Sequence, residues 1–221
     1  MPFFKKKQKT VIITIHGFGR NVKHEFDPFV EYVDSKRFEI VQFNMYDPYD
    51  PKDDNHTKWI NKAETVMNQY RHQEIILLGF SMGGVIASYL ASIYKVKKLI
   101  LIAPAFQYLD LSIITQHGVK LVKNINKKTE QIPSASQTKA FQTIVSKYKE
   151  SIQQVDCPVF IFQGTSDEVI PLESSKNAYK KIHGPKRLIF IEGGKHRIMY
   201  DGKMEKCIFN LILDAINDNL L

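Results

Sequence analysis

Residues Glu74-Ile75-Ile76-Leu77-Leu78-Gly79-Phe80-Ser81-Met82-Gly83-Gly84-Val85-Ile86-Ala87 decide how the rest of the chain is read. An apolar run leads into Gly79-Phe80-Ser81-Met82-Gly83, a G-x-S-x-G pattern, and a helix-like stretch follows. A serine on a sharp strand-to-helix turn is held in a strained backbone conformation with its hydroxyl exposed. Glycines two residues to either side are required because the helix folds back on its own strand, where a Cβ would clash. The helix opening near Met82 directs its free N–H groups at whatever the serine attacks. The segment therefore predicts a nucleophilic serine, Ser81, between a buried strand and a helix.

Outward from this segment, strand and helix patterns alternate. β-branched or apolar runs predict strands at 10–15, 38–43, 74–79, 97–102, 159–163 and 187–191. Helical spacing of apolar residues occupies 25–35, 56–71, 83–93, 173–182 and 204–217. This order predicts an α/β class, with a doubly wound, mostly parallel six-stranded sheet. Residues 105–150 break the rhythm. Residues 106–122 are amphipathic, 123–137 are polar and contain Pro133, and 139–154 are helical again. They read as a helical cap insertion, so that 1–104 and 151–221 form the core and 105–150 the cap.

Composition narrows the function classes. The chain has 221 residues, 43% of them hydrophobic, enough for one domain with a substantial core. No apolar run approaches a membrane span of about 20 residues, so no stable membrane insertion is expected. The start, Met1-Pro2-Phe3-Phe4-Lys5-Lys6-Lys7, has no secretory apolar region. Cys157 and Cys207 are isolated and read as reduced thiols, so a cytoplasmic location is expected. The net charge of +8 permits contact with nucleic acid, but the lysines are scattered and not interleaved with aromatics. No nucleic-acid partner is expected, and these patterns do not specify an oligomeric state.

A serine at neutral pH needs a base within hydrogen-bond reach and an acid to orient that base. Sites in such sheets sit at the carboxyl ends of strands. His196 follows the flexible pair Gly193-Gly194 after the last strand and fits the base. Asp167, in Gly164-Thr165-Ser166-Asp167-Glu168-Val169-Ile170-Pro171, follows an apolar strand and fits the acid, with Glu168 as its rival. The order Ser81…Asp167…His196 is the one this arrangement requires. His16 reads as a packing and hydrogen-bonding residue of its loop rather than a second base. Tyr46 and Phe106 are pocket candidates, with core filling as the alternative.

On these residues the chain resembles the α/β-hydrolase superfamily, in the manner of carboxylesterases and monoacylglycerol lipases. His16-Gly17-Phe18-Gly19 is similar to the family's first oxyanion loop, Gly79–Gly83 to its nucleophile elbow, and the Asp167 and His196 loops to its acid and base loops. The short stretch before Thr10 implies a trimmed bacterial form lacking the first two strands, with a small helical cap. The resemblance implies backbone N–H groups of Phe18 and Met82 as oxyanion donors. It also implies pocket positions at His16, Gly17, Ile170 and Ile198. A serine at position 81 argues against dehalogenase-like relatives, whose nucleophile is aspartate. The implied function is hydrolysis of carboxylic esters with short to medium acyl chains through an acyl-enzyme, with a small-molecule ester as partner and neither metal nor organic cofactor. Thioesterase, monoacylglycerol lipase or peptidase activity on the same triad is the alternative. A non-catalytic binding module stands behind these.

Overall fold

The computed structural model describes residues 9–19, 23–33, 37–108 and 133–221. Six strands, β1 (Thr10–Ile15), β2 (Phe38–Gln42), β3 (Ile75–Phe80), β4 (Lys98–Ile102), β5 (Val159–Gly164) and β6 (Lys186–Ile191), form one sheet. Their order is β2-β1-β3-β4-β5-β6. Every neighbouring pair is parallel, with registers such as Ile13↔Leu77 and Ile100↔Phe160. The sheet is wholly parallel, where the sequence predicts a mostly parallel one.

Period-two alternation divides the strands between two cores. Val11, Ile13, Leu77, Leu99 and Ile161 face one apolar cluster, and Ile12, Ile76, Leu78, Ile100 and Phe160 face the other. Parallel strands covered on both faces need continuous apolar runs, which is why the central strands are buried end to end. Helices α2 (His56–Tyr70), α3 (Met82–Ile93), α4 (Ala135–Tyr148) and α5 (Leu172–Lys181) contribute Trp59, Val85, Phe141 and Ala178 to the first core. Helices α1 (Asp27–Tyr32) and α6 (Glu205–Ile216) contribute Phe29 and Phe209 to the second.

Local chemistry sets the helix boundaries. Asn55 opens α2 by accepting from the Thr57 and Lys58 N–H groups. Ser134 and Gln137 form a reciprocal capping box that starts α4, ahead of the predicted 139. Residues Lys149–Gln154 continue α4 as a 3₁₀ turn rather than as α-helix. The predicted helix 25–35 is shorter in the structure: Lys23–Phe26 is 3₁₀, and α1 begins with Asp27 and Pro28.

The described part of the expected cap is built into the body of the molecule. Helix α4 packs against α3 and α2. Its Phe141, fully buried, contributes about 2–3 kcal/mol by removing its ring from water. The expected amphipathic stretch 106–122 falls, beyond Tyr108, outside the described residues, as does most of the polar stretch after it.

Candidate active site

The strand order places the site. The chain runs from β1 outward to β2, then returns to the other side of β1 for β3. A crevice opens at such a reversal, beyond the carboxyl ends of the strands. The two segments flanking it are His16–Gly19 after β1 and Ser81 after β3.

Ser81 sits at φ 52°, ψ −118°, a conformation L-residues rarely adopt, between the last residue of β3 and the first of α3. The turn is held from three sides: the Ser81 N–H donates to Ile102 O at 3.0 Å, and Ser81 O accepts from Gly84 N at 2.9 Å and Ala105 N at 3.0 Å. Glycine is obligatory beside it. A Cβ on Gly79 would lie 2.6 Å from Gly83 O, and one on Gly83 only 2.0 Å from Ile15 O. The first-strand loop comes equally near the serine, since a Cβ on Gly17 would stand 3.2 Å from Ser81 Cβ. Met82 opens α3, so its N–H is among the helix-start donors that lack an intrahelical acceptor.

Asp167 and His196 meet. His196 Nδ1 lies 3.0 Å from Asp167 Oδ2, and both side chains are buried or nearly so. The carboxylate is fully engaged. Oδ1 accepts from Val169 N at 2.9 Å and Ile170 N at 2.8 Å, and Oδ2 also accepts from Gln163 Nε2 at 2.9 Å. Glu168, the rival acid, accepts from the His196 backbone N–H at 3.2 Å instead. The imidazole packs against Phe80, the residue before the serine, with ring centroids 4.9 Å apart. Among the described residues, Ser81 Oγ makes no hydrogen bond to His196.

His16 is a brace. Its Nδ1 is 2.8 Å from Gly17 O and its Nε2 accepts from Met45 N at 3.0 Å, so neither nitrogen is left for a substrate. Burial holds its pKa down to about 4, so the ring is neutral. The Tyr46 hydroxyl accepts from Gly19 N at 2.8 Å and donates to Gly19 O at 3.1 Å, and burial pushes its pKa up. The Phe18 ring stacks on Tyr46 and on Phe141 at centroid separations of 5.8 and 5.1 Å. Tyr46, Phe106, Ile170 and Ile198 are all buried.

Two features lie outside the sequence reading. Glu25 is buried, and its Oε1 lies 3.1 Å from Arg197 Nη2, beside the histidine loop. Burial raises the Glu25 pKa and the Arg197 charge opposes that rise. Arg197 stacks over Tyr200, 4.3 Å from the ring centre, and the Tyr200 hydroxyl donates to His24 O at 2.7 Å. Gln163 is the second feature. A polar residue at the end of an otherwise apolar buried strand is a signal that was there to read. Among the described residues no cluster of His, Cys, Asp or Glu is placed to hold a metal ion, and no helix is long and apolar enough to cross a membrane.

A wholly parallel doubly wound sheet carrying a strained serine turn between β3 and α3 is an α/β-hydrolase fold. Solved structures agree. One from work on LipS and LipT, two metagenome-derived lipolytic enzymes, superposes with TM-score 0.77 at 16% identity, over 96% of this chain and 94% of that one. A monoacylglycerol lipase from Paleococcus ferrophilus gives 0.72 at 14%, over 92% of each chain. Est1E from Butyrivibrio proteoclasticus gives 0.66 at 19%, over 98% and 92%. At sequence level, residues 11–204 match the Uncharacterised protein family (UPF0227), and the chain belongs to that family.

Proposed function

We propose that this protein is a serine hydrolase of carboxylic esters with short to medium acyl chains, acting through an acyl-enzyme. The observation that carries the reading is the 3.0 Å Asp167–His196 pair packed against the strained Ser81 elbow. The esterase and lipase activities of the structural neighbours support the same class.

In this mechanism Ser81 Oγ attacks the ester carbonyl carbon while His196 Nε2 takes the hydroxyl proton. The carbonyl π pair moves onto oxygen, and the oxyanion is received by the Phe18 and Met82 N–H groups, where each such donor is worth about 3–4 kcal/mol. Asp167 holds the imidazole in the tautomer that exposes Nε2 and stabilises the imidazolium. Collapse breaks the bond to the leaving oxygen, which takes the proton from His196. Water then repeats the sequence on the acyl-enzyme and releases the acid. The enzyme works in the cytoplasm on a small ester. Thioesterase, lipase or peptidase action would use the same steps on a different leaving group.

The test is fluorophosphonate labelling of wild type and Ser81→Ala, followed by hydrolysis of p-nitrophenyl esters from acetate to palmitate, with thioester and amide analogues alongside. Labelling and turnover that vanish in a folded Ser81→Ala protein support the reading. Undiminished turnover in that variant, or a folded wild type that neither labels nor turns over any of these compounds, overturns it.

A further inference from the structure

The Asp167 carboxylate is oriented by four donors, and one of them comes from a side chain that none of the hydrolytic steps uses. Gln163 is the penultimate residue of β5 and has no exposed surface. Its Nε2 is 2.9 Å from Asp167 Oδ2, the same oxygen that faces His196 Nδ1. The direction of the amide is determined by chemistry. An ionised carboxylate only accepts, so the atom facing it must be the nitrogen. On the other side, the Ser175 hydroxyl donates to Gln163 Oε1 at 2.7 Å, which prevents the amide from turning over. Ser175 is itself fully buried on α5.

We propose that Gln163 is a positioning residue for the His196–Asp167 pair, locked in its working orientation by Ser175. This rests on the hydrolase reading above. The Val169 and Ile170 N–H groups anchor Oδ1 alone, about which the carboxylate can swing. Gln163 anchors Oδ2 and so sets the plane in which the histidine is held. Its N–H dipole also spreads the negative charge of Asp167, which moderates how strongly the carboxylate holds the proton on the imidazolium. The other charged groups around His196 are Glu168 at its backbone N–H, and Glu25 with Arg197 on the flanking loop.

The experiment compares wild type, Gln163→Met and the double variant Gln163→Met/Ser175→Ala. The double variant removes both polar partners and leaves no orphaned hydroxyl in the core. With p-nitrophenyl butyrate, kcat falls about ten- to hundredfold at unchanged KM, the range expected for a lost hydrogen bond to a charged group. The acid limb of the kcat/KM profile moves to higher pH, because a less-shared Asp167 charge keeps His196 protonated longer. The Nδ1 proton resonance of His196, read by NMR, is displaced in both variants. Wild-type kcat and pH profile in the folded variants would overturn the proposal. So would a kcat loss that merely tracks the unfolded fraction, with the pH profile and the Nδ1 resonance unmoved. The NMR readout needs no turnover, so failure of the hydrolase reading, seen with Ser81→Ala, is distinguishable from failure of this one.

Discussion

The imidazole of His16 accepts the backbone N–H of Met45 at 3.0 Å, tying the loop after β1 to the loop after β2. That bond needs an unprotonated Nε2, and the ring's pKa is lowered from 6.5 to about 4 by burial. The unfolded chain therefore binds a proton near pH 6.5 that the folded chain refuses until about pH 4. The stabilisation is complete above pH 6.5 and is lost as pH falls toward 4, by at most about 3 kcal/mol. Urea midpoints at pH 7.5 and pH 4.5 for wild type and His16→Gln check this. The wild type loses more stability on acidification than the variant, which cannot titrate at that position.

Gly83→Ala removes the space in which α3 crosses β1. The new methyl would stand 2.0 Å from Ile15 O and 2.6 Å from His16 O, both backbone atoms that cannot swing aside. Overpacking of this kind costs about 3 kcal/mol or more. Soluble yield and urea denaturation measure it, and Gly202→Ala, where no atom lies within 4 Å of the new methyl, is the control.

Lys98 is a buried cation at the start of β4 that closes the end of α6. Its ammonium donates to Ala215 O at 2.9 Å and to Ile216 O, and pairs with Asp218 at 2.7 Å. Lys98→Met leaves two helix-terminal carbonyls without their donor. It destabilises by about 2–3 kcal/mol, with Asp218 half in water and so adding little. Faster amide hydrogen exchange confined to residues 212–218 accompanies the loss.

Tyr46→Phe removes the hydroxyl that holds both polar atoms of the Gly19 backbone. The aromatic stack with Trp59, 4.2 Å between centroids, is retained, so the stability loss is only about 1 kcal/mol. The loop carrying Phe18 loosens. On the proposed function, ester turnover falls several-fold in kcat with little change in KM, as steady-state kinetics read directly.

Asp167→Asn keeps the shape of the acid but presents either an amide N–H to His196 Nδ1 or an oxygen of reduced charge. On the proposed mechanism kcat drops about a thousandfold or more at neutral pH, through the wrong imidazole tautomer. Active-site titration with a fluorophosphonate gives the corresponding fall in labelling rate.

Much of the fold was legible because parallel strands buried on both faces have to be apolar end to end. Runs such as Ile75–Phe80 and Val159–Gly164 stand out against amphipathic helices. The helix starts at 135, before its apolar spacing begins, because Ser134 and Gln137 cap it, a local device hidden within a polar stretch. The same Gln137 amide donates to Asp47 O and Asp50 O, at 2.9 and 3.0 Å, and so pins α4 to the loop after β2. Nothing in the spacing of either segment announces that long-range contact. The side chains proposed for a pocket were the least readable. An aromatic or β-branched residue beside a strand-end loop has the same one-dimensional pattern whether it lines a cavity or fills a core, and Tyr46, Ile170 and Ile198 are fully buried.

By itself the sequence determined the alternation of strands and helices, the elbow at Ser81 and the order of serine, acid and histidine. Each of these is a local or periodic property of the backbone and its side chains. Only the tertiary structure decided that His16 is spent on Met45, that Glu25 faces Arg197, and that Gln163 shares Asp167 with His196. His16–Met45, Glu25–Arg197 and Asp167–His196 join segments far apart in the chain, and they exist only once the sheet order has brought the strand ends together.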